Sequence, residues 1–305
     1  MEYPRTQKEF EQAFSTEEQC LNYLASLRYE NGFRCDKCNH TESWINNRGV
    51  WICKDCKDET SVTSGTIFHG SRIDMTLLFR ALWHIVAQKN GVSALSVQNI
   101  LGLNRYATVW AWLHRFRRLM VLPGREKLSG RIEVDETLVG GKKKGKRGRG
   151  AEGKILVIIA IELIEKRMGR VRLAIIERAD RICINEFIRN NISVGSIIIT
   201  DGWKGYTDLK KMKYTHIIED KTVAMDDENI TPNVHKIASL LKRWLLGTHQ
   251  NFTSPDRLCY YLDEYAFRYN RRNSNSRGYL FYVLLKQAVL HKPIYEKELY
   301  ESQYI

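Results

Sequence analysis

The sequence has no long apolar run. No stretch of its 305 residues reaches the roughly 18 consecutive apolar residues that a membrane-spanning helix requires. The N-terminal segment MEYPRTQKEFEQAF has no apolar core of the kind found in a secretory signal. No segment is of low complexity, and hydrophobic residues make up 43% of the chain. We therefore expect a globular protein without a membrane partner, located in the cytoplasm and associated with the nucleoid.

The chain has fewer acidic than basic residues. The chain has 48 Lys and Arg against 35 Asp and Glu, which gives a formal net charge of +13. Such an excess favours a polyanionic partner, and nucleic acid is the usual one. At this length the chain has room for two or three compact units with a sizeable core, so it does not need disulfides to fold.

Four of the seven cysteines form two CxxC pairs, Cys35 with Cys38 and Cys53 with Cys56. In a reducing compartment this spacing indicates a metal site rather than disulfides, although buried or bonded cysteines are the alternative. The segment between the pairs has the pattern of a β-hairpin with an Asn-Asn-Arg-Gly turn. We predict a zinc ribbon, in which four thiolates bind one structural Zn²⁺ within an N-terminal unit of residues 1–60.

We predict a helical unit over residues 61–122, because the periodicity is helical throughout from Ile73 to about Met120. A long helix ends at Asn90-Gly91, a short helix follows, and Gly102-Leu103-Asn104 turns the chain into a third helix. This order is typical of a helix-turn-helix DNA-binding unit, with an ordinary three-helix packing unit as the alternative. The candidate DNA-contacting residues on the third helix are Arg105, Arg115 and Arg118, with Arg117 beside them.

From Arg131 the pattern changes to strands. Three successive strands have the sequences RIEVDETLVG, KILVIIAIELI and GRVRLAIIE, a helix has the sequence RICINEFIRNNI, and two further strands have the sequences SIIITD and YTHIIE. The order of three strands, helix, strand, helix, strand and helix is that of an RNase H-like domain. We predict an α/β fold with a mixed five-stranded sheet and helices on both faces for residues 123–292, followed by a tail at 293–305.

Two aspartates lie on these strands, Asp135 on the first and Asp201 at the end of the fourth. In an RNase H-like order these strands are neighbours, so both carboxylates would lie near one edge of the fold. Their mutual repulsion would require cations, and a rigid carboxylate pair is what a two-metal phosphoryl-transfer site needs. The alternative for Asp135 is a strand-end carboxylate that caps a neighbouring helix or turn.

The third ligand is sought on the helix VHKIASLLKRWLLG. His235 lies at its head, and Lys242 lies seven residues or two turns later, so both face the same way. Their ordinary alternatives are a helix-terminal histidine and a surface lysine. A competing source of the third ligand precedes Pro232 in a predicted loop and consists of Asp226, Asp227 and Glu228.

A basic loop, GGKKKGKRGRG, joins the first two strands close to Asp135. Its position beside the predicted metal site favours contact with phosphate, and a solvated hairpin tip is the alternative. Its basic residues are Lys142, Lys143, Lys144, Lys146, Arg147 and Arg149.

The order of zinc ribbon, helix-turn-helix, VDET, TDGW, VHKIASLLKRWLLGTHQ and YLDEYAFRYNRR resembles the bacterial insertion-sequence transposases of the family numbered fifteen-ninety-five. The resemblance extends from residue 33 to about residue 287. It implies a DDE-type catalytic domain whose third position holds Glu, Asn or His, followed by Lys seven residues on. On this chain these positions are Asp135, Asp201, His235 and Lys242.

The resemblance also implies the partners. The ribbon and the helical unit would recognise the terminal inverted repeats of the element in double-stranded DNA, and a homodimer or higher oligomer would join two element ends. Two catalytic ions, Mg²⁺ or Mn²⁺, would support strand cleavage by water and then attack of the freed 3′-hydroxyl on target DNA. A histidine as the third ligand favours a good response to Mn²⁺.

Two other functions stay open from the sequence. The first is a catalytically inactive zinc-ribbon DNA-binding protein, such as a repressor or a transposase relic. The second is a recombinase with a covalent nucleophile, for which Tyr269 in FRYNRR is the candidate. Tyr265 and Tyr269 have helical spacing, which is more typical of packing residues.

Overall fold

The computed structural model describes residues 3–122, 124–140, 154–165, 167–218, 231–250, 254–274 and 276–300. The chain divides into two compact units: the first is Met1–Leu119 with Ser274–Leu299, and the second is Met120–Asn273 with Tyr300–Ile305. Within the described ranges, every helix is too short or too polar to cross a membrane.

The elements follow one another along the chain in an order that separates a helical part from a sheet. The helices are α1 (Gln7–Ala13), α2 (Glu17–Arg28), α3 (Met75–Ala87), α4 (Ala94–Leu101), α5 (Tyr106–Arg118), α6 (Arg181–Asn191), α7 (Pro232–Thr248), α8 (Pro255–Asn270) and α9 (Arg277–Leu290). The strands are β1 (Ser43–Ile45), β2 (Trp51–Cys53), β3 (Glu59–Thr60), β4 (Arg131–Val139), β5 (Ile155–Ile164), β6 (Arg167–Ile175), β7 (Ile197–Thr200) and β8 (Thr215–Ile218).

The first unit has an aromatic core built from α1, α3 and α9. Phe281 of α9 lies 5.5 Å from Phe10 and 5.6 Å from Phe79 between ring centroids. The sequence prediction placed residues up to 292 with the catalytic domain, whereas α9 packs in the first unit. An apolar helix can fill either core, and local periodicity does not say which.

The predicted helix-turn-helix arrangement is present. Helix α4 ends at Gly102, whose φ of 64° is the left-handed conformation that favours glycine. The chain then turns into α5, and α3, α4 and α5 contact one another. The zinc ribbon is present as well, since β1, β2 and β3 form an antiparallel sheet with Ser43 opposite Cys53.

The second unit contains the predicted mixed five-stranded sheet. Its order is β6-β5-β4-β7-β8, with antiparallel pairs from β6 to β4 and parallel pairs from β4 to β8. The sequence predicted a full helix between β7 and β8, and this prediction was wrong. That connection holds only a 3-10 turn at Lys204–Tyr206, because Gly202 with φ of 78° and Gly205 bring the backbone close to Ile218 and Ile184.

Helices cover both faces of this sheet. One face packs on α6 and includes Ile132 and Val134 of β4. The other packs on α7 and α8 and includes Val139 of β4. Because side chains alternate along a strand, Glu133, Asp135 and Thr137 lie on the α7 and α8 face. The candidate site is therefore built between β4 and α7.

Candidate active site

The strand register aligns Asp135 with Asp201. Strands β4 and β7 pair in parallel with Arg131 opposite Ile197 and Glu133 opposite Ile199. Continuing this register by two residues places Asp135 opposite Asp201. Residues at equivalent positions of neighbouring parallel strands face the same side, and the strands lie about 4.8 Å apart. The fold thus brings both aspartates to the same edge, as the sequence predicted.

Asp135 is buried and its charge is unfavourable there. The residue is only 9% exposed, and its Oδ1 accepts a hydrogen bond from Glu136 N at 2.7 Å. Burial raises the pKa of Asp135, and the negative charge of Asp201 raises it further against the opposing effects of the Glu136 amide and His235. A carboxylate in this setting gains stability from a bound cation.

Asp201 is exposed and lies in the turn directly after β7. Its Oδ1 accepts a hydrogen bond from Trp203 N at 3.0 Å, which fixes the turn. The preceding Thr200 is fully buried, and its Oγ1 lies 2.9 Å from His216 Nε2 on β8. The end of β7 is thus held on both sides while the Asp201 carboxylate faces solvent.

His235 lies in the first turn of α7 next to Asp135. Its Nε2 is 3.6 Å from Asp135 Oδ2, and its side chain is 48% exposed. Thr231 Oγ1 donates to the same Asp135 oxygen at 3.4 Å. The first turn of α7 therefore contacts β4 at Asp135. There His235 is close enough to Asp135 for both side chains to bind the same metal ion.

Lys242 lies two turns further along α7 and contacts the same strand. Its Nζ donates to Thr137 Oγ1 at 2.7 Å, and Thr137 is two residues from Asp135 on the same face of β4. Burial, with a smaller effect from the charge of Lys154, lowers the pKa of Lys242. His235 and Lys242 thus lie on the same side of α7, the side that contacts β4, and their spacing of seven residues predicts a common side.

The donor set fits a hard divalent cation. Two carboxylates and an imidazole are ligands that Mg²⁺ and Mn²⁺ accept, and the repulsion at Asp135 is what a cation would relieve. Their ligand atoms do not form a closed cluster, however. Over the described ranges, only Cys35, Cys38, Cys53 and Cys56 have three or more ligand atoms that all lie within 4.8 Å of one another.

The four cysteines have the geometry of a tetrahedral metal site. Cys35 Sγ lies 3.6 Å from Cys56 Sγ, and Cys38 Sγ lies 3.6 Å from Cys53 Sγ. Four thiolates at about 2.3 Å from one Zn²⁺ would lie about 3.8 Å apart, so the spacing fits zinc. Phe33 and Trp51 pack around the cluster.

The predicted DNA-contacting arginines differ in their surroundings. Arg105 is exposed at the start of α5, and Arg118 is partly exposed near its end. Arg115 is engaged within its own unit: its Nε donates to the Ile294 carbonyl at 2.8 Å, and its guanidinium lies 4.9 Å from the Trp112 ring centre. The six basic residues of the predicted phosphate loop, Lys142 to Arg149, lie outside the described residues, as do Asp226, Asp227 and Glu228.

Tyr269, the candidate covalent nucleophile, is a packing residue, as is Tyr265. Tyr265 is 7% exposed, and its hydroxyl donates to the Ile237 carbonyl at 3.4 Å. The Tyr269 hydroxyl is buried, and burial raises the pKa of Tyr269. A buried phenol with a raised pKa is a poor nucleophile toward DNA, so the covalent alternative is disfavoured.

The sequence analysis missed one residue of the site, Glu133. It is 4% exposed, and its Oε2 accepts hydrogen bonds from Asn233 N at 2.9 Å and Val234 N at 3.1 Å at the head of α7. A signal was present, because IEVDET places this acid two residues before Asp135, on the same face of an otherwise apolar strand.

A mixed five-stranded sheet with one aspartate on β4 and a second directly after β7, in a chain that also carries a four-cysteine ribbon, is the arrangement expected of a DDE-type transposase. Residues 127–270 match the family model described as an ISXO2-like transposase domain, and residues 15–59 match the model described as a transposase zinc-ribbon domain. The chain belongs to the insertion-sequence transposase family numbered fifteen-ninety-five. No curated protein matches it significantly.

Proposed function

We propose that this transposase is catalytically active, cleaving one DNA strand at the element ends and transferring it into target DNA. The observation that carries the proposal is the approach of Asp201, His235 and Lys242 to one short stretch of β4, from Asp135 to Thr137. The register aligns Asp135 with Asp201, and α7 brings His235 to 3.6 Å from Asp135 and Lys242 to 2.7 Å from Thr137.

Asp135, Asp201 and His235 would hold the catalytic ions. Two bound Mg²⁺ or Mn²⁺ ions would activate the attacking hydroxyl and neutralise charge on the phosphate. Asp201 is exposed and so accessible to DNA, whereas Asp135 is buried and fixed by the Glu136 amide. His235 brings no negative charge in its neutral form, which distinguishes this site from a three-carboxylate site.

Lys242 supplies a cation beside the ion ligands. Its partner Thr137 is a neutral hydroxyl, so the hydrogen bond orients the ammonium without cancelling its charge. We infer that the ammonium binds a phosphate oxygen of the DNA strand being cut. No covalent bond between protein and DNA is needed, which agrees with the burial of the Tyr265 and Tyr269 hydroxyls.

Double-stranded DNA is the partner, in the form of terminal inverted repeats and target. Arg105 at the exposed start of α5 is the best-placed residue of the helical unit for phosphate contact, followed by Arg118. The basic loop from Lys142 to Arg149 would contact DNA beside Asp135. A homodimer or higher oligomer follows from the need to hold two element ends together.

The test is metal-dependent nicking and strand transfer on a labelled duplex that carries a terminal repeat. We expect Asp135→Asn and Asp201→Asn each to abolish both reactions while the variants still bind the duplex. The matched control is Asp180→Asn, which removes a carboxylate that caps α6 through Ile182 N and Cys183 N. That variant should keep activity, and nicking by Asp135→Asn would refute the proposed site.

The rival function is DNA binding without catalysis. Wild-type protein that bound the terminal-repeat duplex but did not nick it with either Mg²⁺ or Mn²⁺ would establish this rival. The alignment of Asp135 with Asp201 favours the enzyme, because an inactive binding protein has no use for two carboxylates at one sheet edge.

A further inference from the structure

We propose that Glu133 is a positioning residue, which caps α7 from the neighbouring strand and so sets His235 opposite Asp135. Its structural part stands on the contacts of α7 alone. Its catalytic part rests on the proposed function.

Helix α7 does not receive a cap from its own preceding residue. Thr231, at the N-cap position, has φ of 52° and ψ of 54°, a left-handed conformation that is unusual for a β-branched residue. Its side chain makes no capping hydrogen bond, and its Oγ1 points to Asp135 Oδ2 instead. Pro232 follows and has no amide hydrogen. The first amides that need an acceptor are those of Asn233 and Val234.

Glu133 supplies that acceptor across the structure. Its Oε2 accepts from Asn233 N at 2.9 Å and Val234 N at 3.1 Å, the two positions that an N-cap side chain normally serves. Its Oε1 accepts from Asn233 Nδ2 at 2.7 Å. A carboxylate at a helix N-terminus also interacts favourably with the helix dipole, and Glu133 makes these contacts while only 4% exposed.

This cap joins two parts of the candidate site. Glu133 and Asp135 are two residues apart on one face of β4, and His235 directly follows the capped Val234. The bonds of Glu133 therefore fix the height and rotation of the turn that carries His235 relative to the strand that carries Asp135. A displacement of about 1 Å at such a site is enough to lower a rate by about a hundredfold.

The same contacts separate Glu133 from the ion ligands. Both of its oxygens are occupied by hydrogen bonds from α7, three in all. Its carboxylate is therefore engaged by the helix, and we assign it the positioning of His235 rather than contact with DNA or metal.

The experiment compares Glu133→Gln and Glu133→Ala in the full chain. Glutamine keeps one side-chain oxygen for the two backbone amides, whereas alanine keeps none. Glu162→Gln is the matched control, because Glu162 is also 4% exposed, lies on β5 opposite Ile132, and bonds Arg170 and Ser129 instead of α7. The readouts are amide hydrogen exchange at the start of α7, Mn²⁺ binding by calorimetry without DNA, and kcat and KM for nicking.

We expect Glu133→Ala to raise exchange at the start of α7 by roughly five- to tenfold, the size of a lost helix cap. It should weaken Mn²⁺ binding and lower kcat by about a hundredfold with little change in KM for DNA, because the site is displaced rather than the DNA contacts. Glu133→Gln should stay within a few-fold of wild type in all readouts. Glu162→Gln should leave exchange in α7 unchanged.

Two outcomes would overturn the inference. One is wild-type exchange and kcat in Glu133→Ala. The other is Glu133→Gln as inactive as Asp135→Asn with wild-type exchange in α7, because Glu133 would then act in the chemistry itself. If Glu133→Ala does not fold, Glu133→Asp takes its place, because a side chain one methylene shorter keeps the charge but draws the carboxylate away from the Asn233 and Val234 amides, and wild-type exchange in that variant counts against the inference. Exchange and Mn²⁺ binding are measured without cleavage, so activity in Asp135→Asn would refute the proposed function without deciding the role of Glu133.

Discussion

Lys242 on α7 donates a hydrogen bond of 2.7 Å from its Nζ to Thr137 Oγ1 on β4. Thr137 is two residues beyond Asp135, so this bond holds a positive charge at a defined place beside the aspartates. The partner is a neutral hydroxyl, so this bond does not neutralise the ammonium. Lys242 thus supplies the positive charge, and Thr137 holds that charge in place. Substitutions can test these two roles separately.

The two parts of this contact predict unequal effects. Lys242→Gln should lower the rate of strand cleavage by about a hundredfold, because a group that stabilises transition-state charge is removed. Thr137→Val, which removes the anchor and keeps the charge, should lower the rate less. Single-turnover cleavage of a labelled duplex measures both, and equal losses would contradict an electrostatic role for Lys242.

His235 predicts the metal preference. Imidazole suits Mn²⁺ better than Mg²⁺, so wild-type protein should cleave faster with Mn²⁺ than with Mg²⁺. His235→Glu should remain active and should lower the ratio of the two rates, since carboxylate suits Mg²⁺. Cleavage rates at saturating concentrations of each ion measure the ratio. The same ratio in both proteins would show that His235 is not an ion ligand.

The ribbon predicts a structural requirement for zinc. Trp51 packs on Tyr29 at 4.5 Å and on Phe33 at 5.7 Å beside the four thiols. Cys38→Ser should lose the bound zinc, and the fluorescence of Trp51, obtained by difference with a Trp51→Phe protein, should shift toward that of an exposed indole. Cys183→Ser, in the other unit, is the control and should keep one zinc per chain. Full zinc content in Cys38→Ser would contradict the four-thiolate site.

The contacts of Glu162 predict that part of the free energy of unfolding depends on pH. Burial alone would raise its pKa, but hydrogen bonds from Arg170 and the Ser129 amide outweigh burial and lower the pKa below the ordinary 4.5. A lowered folded pKa means that the contribution is fully present above the unfolded pKa and is lost as the pH falls through the folded pKa.

Glu162→Gln should therefore lower the free energy of unfolding at pH 7 by roughly 1.5–3 kcal/mol, the range for hydrogen bonds to charged groups. The difference from wild type should shrink as the pH falls below about 4.5, because wild type then loses the same charge. Urea unfolding of both proteins across this range measures the difference. A difference that stayed constant with pH would show that the ion pair with Arg170 is not its source.

The sequence was sufficient for what depends on local pattern and on topology. The apolar run that contains Asp135 and the one that ends directly before Asp201 identify two strands, and the order of elements makes these strands neighbours. The spacing of His235 and Lys242 likewise follows from the helical repeat. These features need no knowledge of distant contacts, and the sheet order and the register between β4 and β7 agree with them.

The sequence was insufficient where one segment serves another far along the chain. Glu133 caps a helix a hundred residues later, and no local period reveals such a partner. Arg115 has the spacing of a basic DNA-contacting residue, yet its guanidinium bonds the Ile294 carbonyl. Helix α9 is apolar enough for either core, and only packing against Phe10 and Phe79 assigns it to the first unit.

The position of α9 in the first unit has a consequence for synthesis. Helices α1 to α5 leave the ribosome before the catalytic sheet, but Phe281, which completes their aromatic core, is translated only after it. Until then Phe10 and Phe79 lack the ring that packs against both of them, and exposed apolar surface of this kind favours aggregation. A chain truncated after the sheet would keep all candidate catalytic residues but would lack Phe281 in the aromatic core of the first unit. The candidate catalytic residues therefore precede, in order of synthesis, the helix on which the aromatic packing of the first unit depends.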